Sequence, residues 1–142
     1  MFLSLMVAAY LGIVVLVAYL MSVPAVVGPF AATTALLAAL PKSPFSQPKA
    51  LVVGHVICVL LGLSFRLLVG HFAWVVVVAA TVAIVLMVTT KTLHAPAVAH
   101  TVIIIATAQS YRYAFAVFAV VALFIGFSFV VRCGLLTAKP VD

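Results

Sequence analysis

Apolar residues fall along this chain in long blocks separated by short polar interruptions. Four blocks, at about 3–23, 50–69, 72–90 and 113–131, are each long enough to cross a membrane as a helix. A span needs roughly 20 residues at about 1.5 Å each. Two shorter apolar pieces lie between them, "VGPFAATTALLAAL" at 27–40 and "HAPAVAHTVIIIATA" at 94–108. As helices these reach only about 20 Å, against a hydrocarbon core of about 30 Å.

The two short pieces resemble each other. Pro29-x-x-Ala32-x-Thr34 is matched by Pro96-x-x-Ala99-x-Thr101 at an offset of 67 residues. The same shift carries the first long block onto the third and the second onto the fourth. Arg66 closes the second block much as Arg132 closes the fourth. The pattern predicts an all-α integral membrane protein forming a single transmembrane domain over 1–142. It is built from two repeats, about 1–69 and 70–137, of long helix, short proline-led half-helix and long helix. That makes four full spans and two short segments.

Lys and Arg positions bear on whether the short pieces cross, because cytoplasmic loops collect them. If both cross, Lys42, Lys49, Lys91, Arg132 and Lys139 share one side, and Arg66 and Arg112 face the other. If both re-enter, the split is four (Lys42, Lys49, Lys91, Arg112) against three. The first arrangement is favoured. It inverts the second repeat relative to the first, as in many transporters. It also sets both termini on the cytoplasmic side of an inner or plasma membrane. The stretch 1–25 ends in a small-residue "SVPA", yet it lacks a basic start and its apolar run exceeds a signal-peptide core of about 7–15 residues. It reads as a retained helix.

Composition sharpens the picture. The chain is 69% hydrophobic with 6% charged residues and a mean hydropathy of +1.52, too little polar surface to wrap a soluble core. Its net charge of +6 comes from bases scattered at the ends of apolar blocks, the place of membrane anchors rather than of a nucleic-acid surface. Asp142 is the single acid, so no carboxylate side chain lies in any span. This argues against a carboxylate-coupled cation carrier. Cys58 and Cys133 stand in separate blocks without CxxC spacing and read as small core residues. No cofactor fingerprint, metal-ligand set or catalytic constellation is present in the pattern, so neither an enzyme nor a cofactor is expected.

The candidate chemistry sits at the short helices. Proline fits the first turn of a helix, where its missing N–H forfeits no bond, so Pro29 and Pro96 predict helix starts. First-turn N–H groups lack intrahelical partners, and at membrane depth the helix dipole makes such a start an anion site. Thr33, Thr34 and Thr101 lie within the first two turns and either add hydroxyl donors or bond back to their own helix. His94 flanks the second start and His100 lies within that helix, nearly two turns on. His55 stands inside a long block after Gly54, and an ionisable residue there is a functional candidate. His71, beside Trp74 in a short loop, reads as an interfacial anchor.

These motifs resemble the HPP family of small integral membrane proteins. The matches are Pro29-Phe30-Ala31-Ala32-Thr33 to a "PFGAT" segment, then Ser43-Pro44-Phe45-Ser46-Gln47-Pro48 with Gly54-His55 six residues later. Lys91-Thr92-Leu93-His94-Ala95-Pro96 stands at the signature position. Order and spacing agree over nearly the whole chain. The chain departs at Ala95 for the first signature proline, Ala31 for glycine and Ala50 for the usual Asn. Val98 and His100 stand where small residues are preferred. The resemblance implies a channel or uncoupled transporter for a small anion, with nitrite first among candidates. The alternative is a structural or assembly subunit without transport of its own. Six short segments scarcely enclose a pathway alone, so a homo-oligomer is expected, most simply a dimer, with Gly12, Gly62 and Gly126 at close helix contacts. The partners expected are therefore the anion, the bilayer and a second copy.

Overall fold

The computed structural model describes residues 2–137, with side chains over 3–129. The roles expected of Arg132 and Cys133 lie outside the described side chains, and those of Lys139 and Asp142 outside the described residues. The described residues form six α-helices and no strand: α1 (Phe2–Leu20), α2 (Val27–Ala39), α3 (Pro48–Leu68), α4 (Ala73–Thr89), α5 (Ala95–Ala106) and α6 (Tyr111–Thr137). Three of them, α1, α3 and α6, carry stretches long and apolar enough to cross a membrane. At 17 residues α4 is apolar but shorter.

Local chemistry sets the boundaries. Pro48 opens α3 and Pro96 sits in the first turn of α5, as proline's fixed φ and absent N–H favour. Pro29 does not open α2. A 3-10 turn over Pro24–Val26 leads directly into it, with Val27 N–H donating to Pro24 O, so the first short helix begins earlier than its proline. At 12 residues, α5 is as short as expected.

Three helices close through a residue in the left-handed region, Ser22 (φ 55°), Lys91 (φ 55°) and Ala108 (φ 50°). Each is followed by an N–H that reaches back to the last turn: Val23 to Ala18 O, Thr92 to Met87 O and Gln109 to Ile104 O, at 2.8, 2.8 and 3.0 Å. These pairings satisfy carbonyls that the helix end would otherwise strand. A side chain in this region costs about 1–2 kcal/mol, part of which glycine returns as unfolded-state entropy. Ala108→Gly is therefore expected to stabilise the fold by about 0.5–1 kcal/mol, read as a higher thermal midpoint in detergent. An unchanged or lower midpoint contradicts it.

The helices pack in two groups. Tyr10 on α1 stacks on Phe127 and meets Phe124 edge-on, with centroids 4.6 and 4.8 Å apart, joining α1 to α6 in a core that takes in Phe30 and Leu37 of α2. Cys58, Ala83, Met87 and Ala97 tie α3, α4 and α5 together, and Val75, Ala79 and Ile105 continue that seam beside Phe65. Along it, α5 runs parallel to α3, from Gly54 beside His94 to Phe65 beside Ile105. The opposite direction holds for α2, whose Leu36 O receives Ser46 Oγ just before α3, while Phe30 lies on His55 a turn and more into it.

Of the three glycines expected at close contacts, Gly62 makes one inside the chain. A Cβ there would lie 3.2 Å from the Thr101 Cα and 3.1 Å from Ile104 Cδ1. A Cβ at Gly12 or Gly126 would meet nothing within 4 Å among the described residues. His71 is exposed, stacked on Phe72, which in turn stacks on Trp74. That aromatic ladder suits a membrane interface.

Candidate functional site

The loop between α2 and α3 explains how one histidine is held. Ser43 Oγ accepts from Phe45 N–H at 3.3 Å, capping a 3-10 turn over Pro44–Ser46. The Gln47 amide donates back to Ser43 O at 3.2 Å, and Pro48 then starts α3. The Ser-Pro-x-x-Gln-Pro stretch thus folds onto itself and turns the Phe45 carbonyl inward. His94, the residue preceding α5, places its Nδ1 2.8 Å from that oxygen. A carbonyl only accepts, so His94 Nδ1 carries a proton. On the other edge of the ring, Nε2 lies 3.0 Å from Thr33 Oγ1, and Thr33 Oγ1 is also within 3.0 Å of Pro29 O on its own helix.

His94 precedes α5 and His100 lies within it, and His55 joins them. The His55 ring lies 5.0 Å from that of His94 and 5.0 Å from that of His100, centroid to centroid. All three are buried. Phe30 lies flat on His55, with centroids 4.9 Å apart and planes within 6°, and tilts against His100 at 5.2 Å. His55 Nδ1 faces Leu51 O at 2.8 Å, one turn back on α3, so it too carries a proton. His100 Nδ1 faces the Tyr113 hydroxyl at 2.8 Å, which can donate or accept. The Nε2 atoms of His55 and His100 are buried and have no hydrogen-bond partner among the described residues. Such atoms are rare and costly in a native interior and mark places where a ligand, water or proton is handled.

Four of the eight residues singled out from sequence meet here, Thr33, His55, His94 and His100, while Pro96 stands in the first turn of α5. Pro29 contributes its carbonyl through Thr33. Thr34 and Thr101 are engaged elsewhere. Thr34 Oγ1 donates to Phe30 O at 2.7 Å, and Thr101 Oγ1 donates to Cys58 O at 2.8 Å, tying α5 to α3. Their equivalent places in the two short helices do not give them equivalent partners.

The helix starts are less bare than their prolines suggest. Val26 and Val27 N–H groups are used in the 3-10 turn before α2. At α5, Pro96 has no N–H and Ala97 donates to His94 O at 3.0 Å. Polar capacity at this depth therefore resides in imidazoles more than in backbone amides. Phe30, Phe45 and Tyr113 were not among the candidates. Phe30 lay within the "PFAAT" stretch, whereas nothing in the sequence pattern pointed to Tyr113.

A cavity of about 240 Å³ opens beside the loop, lined by Pro44, Phe45, Val88, Lys91 and Leu93. Exposed Lys91 shares this lining with Phe45, the residue whose carbonyl holds His94. Among the described residues, no group of three His, Cys, Asp or Glu side chains is arranged to hold a metal ion.

The family model for the HPP transmembrane region matches residues 1–141. The chain belongs to the HPP family. No curated protein and no solved structure matches it. Together with three apolar helices of spanning length, membership makes this HPP protein a membrane protein.

Proposed function

We propose that this HPP protein passes a small monovalent anion through the membrane, with nitrite as the first substrate to test, and performs no chemistry on it. The observation that carries the reading is the pair of buried, unpartnered imidazole nitrogens on His55 and His100, in a membrane interior where no carboxylate competes for cations. Buried polar atoms of this kind are stabilised by a ligand that returns their hydrogen bonds. Lys91 in the cavity lining draws anions toward the His94 side. The small size of nitrite suits a site walled by Phe30 and three imidazoles.

In this reading the chain is two inverted repeats, with α4 the counterpart of α1 and a fourth span. Three features support it. The helices α2 and α5 run in opposite directions against α3. Packing is paired, α1 against α2 and α6, α4 against α5 and α3. The first and fourth helices close through the same left-handed motif, at Ser22 and Lys91. A homodimer in an inner or plasma membrane, with both termini cytoplasmic, completes the proposal. Exposed Gly12 and Gly126 leave room for a second copy to approach closely.

Proteoliposomes containing the full chain should take up nitrite faster than empty liposomes, and faster than they take up formate or chloride. Uptake indistinguishable from empty liposomes for all three anions overturns the reading and leaves a structural or assembly subunit.

A further inference from the structure

The histidine cluster specifies more than a place for an anion. His55 Nδ1 is committed as a donor to Leu51 O, and a neutral imidazole has one proton. Its other nitrogen, the buried Nε2 without a partner, is therefore a lone pair. A lone pair repels an anion. His100 differs, because its Nδ1 faces a hydroxyl rather than a carbonyl. With Tyr113 donating to Nδ1, His100 Nε2 carries the proton and offers an N–H at no cost in charge.

We infer that His55 takes up a proton to admit the anion, so that passage moves one proton with each monovalent anion. The inference rests on the anion reading above. In the step, a proton from solution bonds to the lone pair of His55 Nε2 and makes an imidazolium, which keeps its Nδ1–H on Leu51 O. The anion then accepts from Nε2–H of His55, with Nε2–H of His100 as a second donor. The ion pair is neutral. On the far side the proton leaves Nε2 and the imidazole returns to its starting tautomer, so charge and protons balance over the cycle.

Apart from the two neighbouring imidazoles, the surroundings hold no side chain that could carry the charge. From α2 come the Phe30 ring and Thr33, and from the loop the Phe45 carbonyl. From α3 comes Cys58, whose thiol is directed to Met87 of α4. His94 stands just ahead of α5 and His100 within it, and Tyr113 comes from α6, while Thr101 is turned to Cys58 O. Tyr10 of α1 is turned to Val120 O. Among the described residues every buried polar side chain is uncharged in type or a histidine, and Lys91 is exposed. An unpaired anion here would be a bare charge in a low-dielectric interior, which proteins avoid by pairing or neutralising it. The missing carboxylates rule against a carboxylate-coupled carrier but leave imidazole free to couple.

The test uses the full chain in proteoliposomes with nitrite as probe, internal pH read by a trapped dye, and empty liposomes subtracted to remove passage of nitrous acid through lipid. One arm applies an inward proton gradient without a potential, another an inside-positive potential without a proton gradient. The expected result is uptake driven by the proton gradient, one proton entering per nitrite, and no response to a potential of about 59 mV, which would draw an uncoupled anion in tenfold. Uptake that follows the potential without internal acidification overturns the coupling while the anion reading stands. Uptake equal to that of empty liposomes in both arms overturns both. His55→Gln supplies an amide donor that needs no proton, so its residual uptake should become potential-driven. Uptake that stays proton-coupled in His55→Gln, or in His55→Asn if the longer amide does not fold, removes His55 as the proton site. The wild-type arms decide the coupling whatever either variant does.

Discussion

Gly54→Ala is expected to abolish nitrite uptake and to destabilise the fold by about 1–3 kcal/mol, the usual cost of forcing an extra methyl group into a packed interior. A Cβ at position 54 would lie 2.9 Å from the Cβ of His94, 3.2 Å from Met87 Sδ and 3.4 Å from Thr92 O. Met87 is flexible enough to give way. His94 is not. Its carbonyl receives Ala97 N–H at the start of α5, and its ring is pinned between Phe45 O and Thr33 Oγ1. Relief therefore comes from α5 moving off α3, which carries His94 away from both partners and widens its separation from His55. Gly12→Ala is the control, since a Cβ there meets nothing within 4 Å. Thermal midpoint in detergent and uptake in liposomes are the two measurements. A Gly54→Ala protein with the midpoint and uptake of wild type would mean that the contact between α3 and His94 does not position the site.

That contact shows where the sequence was legible and where it was not. Membrane helices declare themselves because lipid asks for an unbroken apolar surface. The blocks at 50–69 and 113–131 accordingly lie over Pro48–Leu68 and Tyr111–Thr137. The block at 72–90 became a helix of 17 residues, because Phe72 stays extended ahead of it. The first half-helix was read from Pro29, but proline is acceptable anywhere in a first turn. Pro24, five residues earlier, started the 3-10 turn that feeds α2. His55 stands out because an ionisable group in an apolar block needs a reason, and His94 because it flanks the start of the second short helix. Their partners did not stand out. Phe45 contributes a backbone carbonyl, which any residue type has, and Tyr113 meets His100 across a turn between two helices. Pairings of that kind depend on how helices cross, and a single sequence holds no record of it. The threonines show the same limit. Thr33 and Thr34 are neighbours of one type, yet one reaches a histidine and the other its own helix.

Phe30→Ala is expected to have the largest effect of any single change. The Phe30 side chain is fully buried, and truncating a buried phenylalanine costs about 3–5 kcal/mol in lost transfer energy and residual cavity. Its ring also does something that volume alone does not. It lies within 6° of parallel to His55 and 4.9 Å from it, while touching His100 at 5.2 Å. One hydrogen bond, to Leu51 O, holds the edge of the His55 ring, and rotation about that bond is restrained on one face by Phe30. Without the flat neighbour, the His55 ring is free to swing about that bond. Phe30→Leu separates the two contributions. Leucine refills most of the space, so the stability loss should shrink to about 1–2 kcal/mol, but a branched aliphatic chain gives no planar surface. If orientation of His55 is what matters, Phe30→Leu should recover most of the thermal midpoint and little of the nitrite uptake. Recovery of both together would reduce Phe30 to a space-filler and make the order of the imidazole pair independent of it.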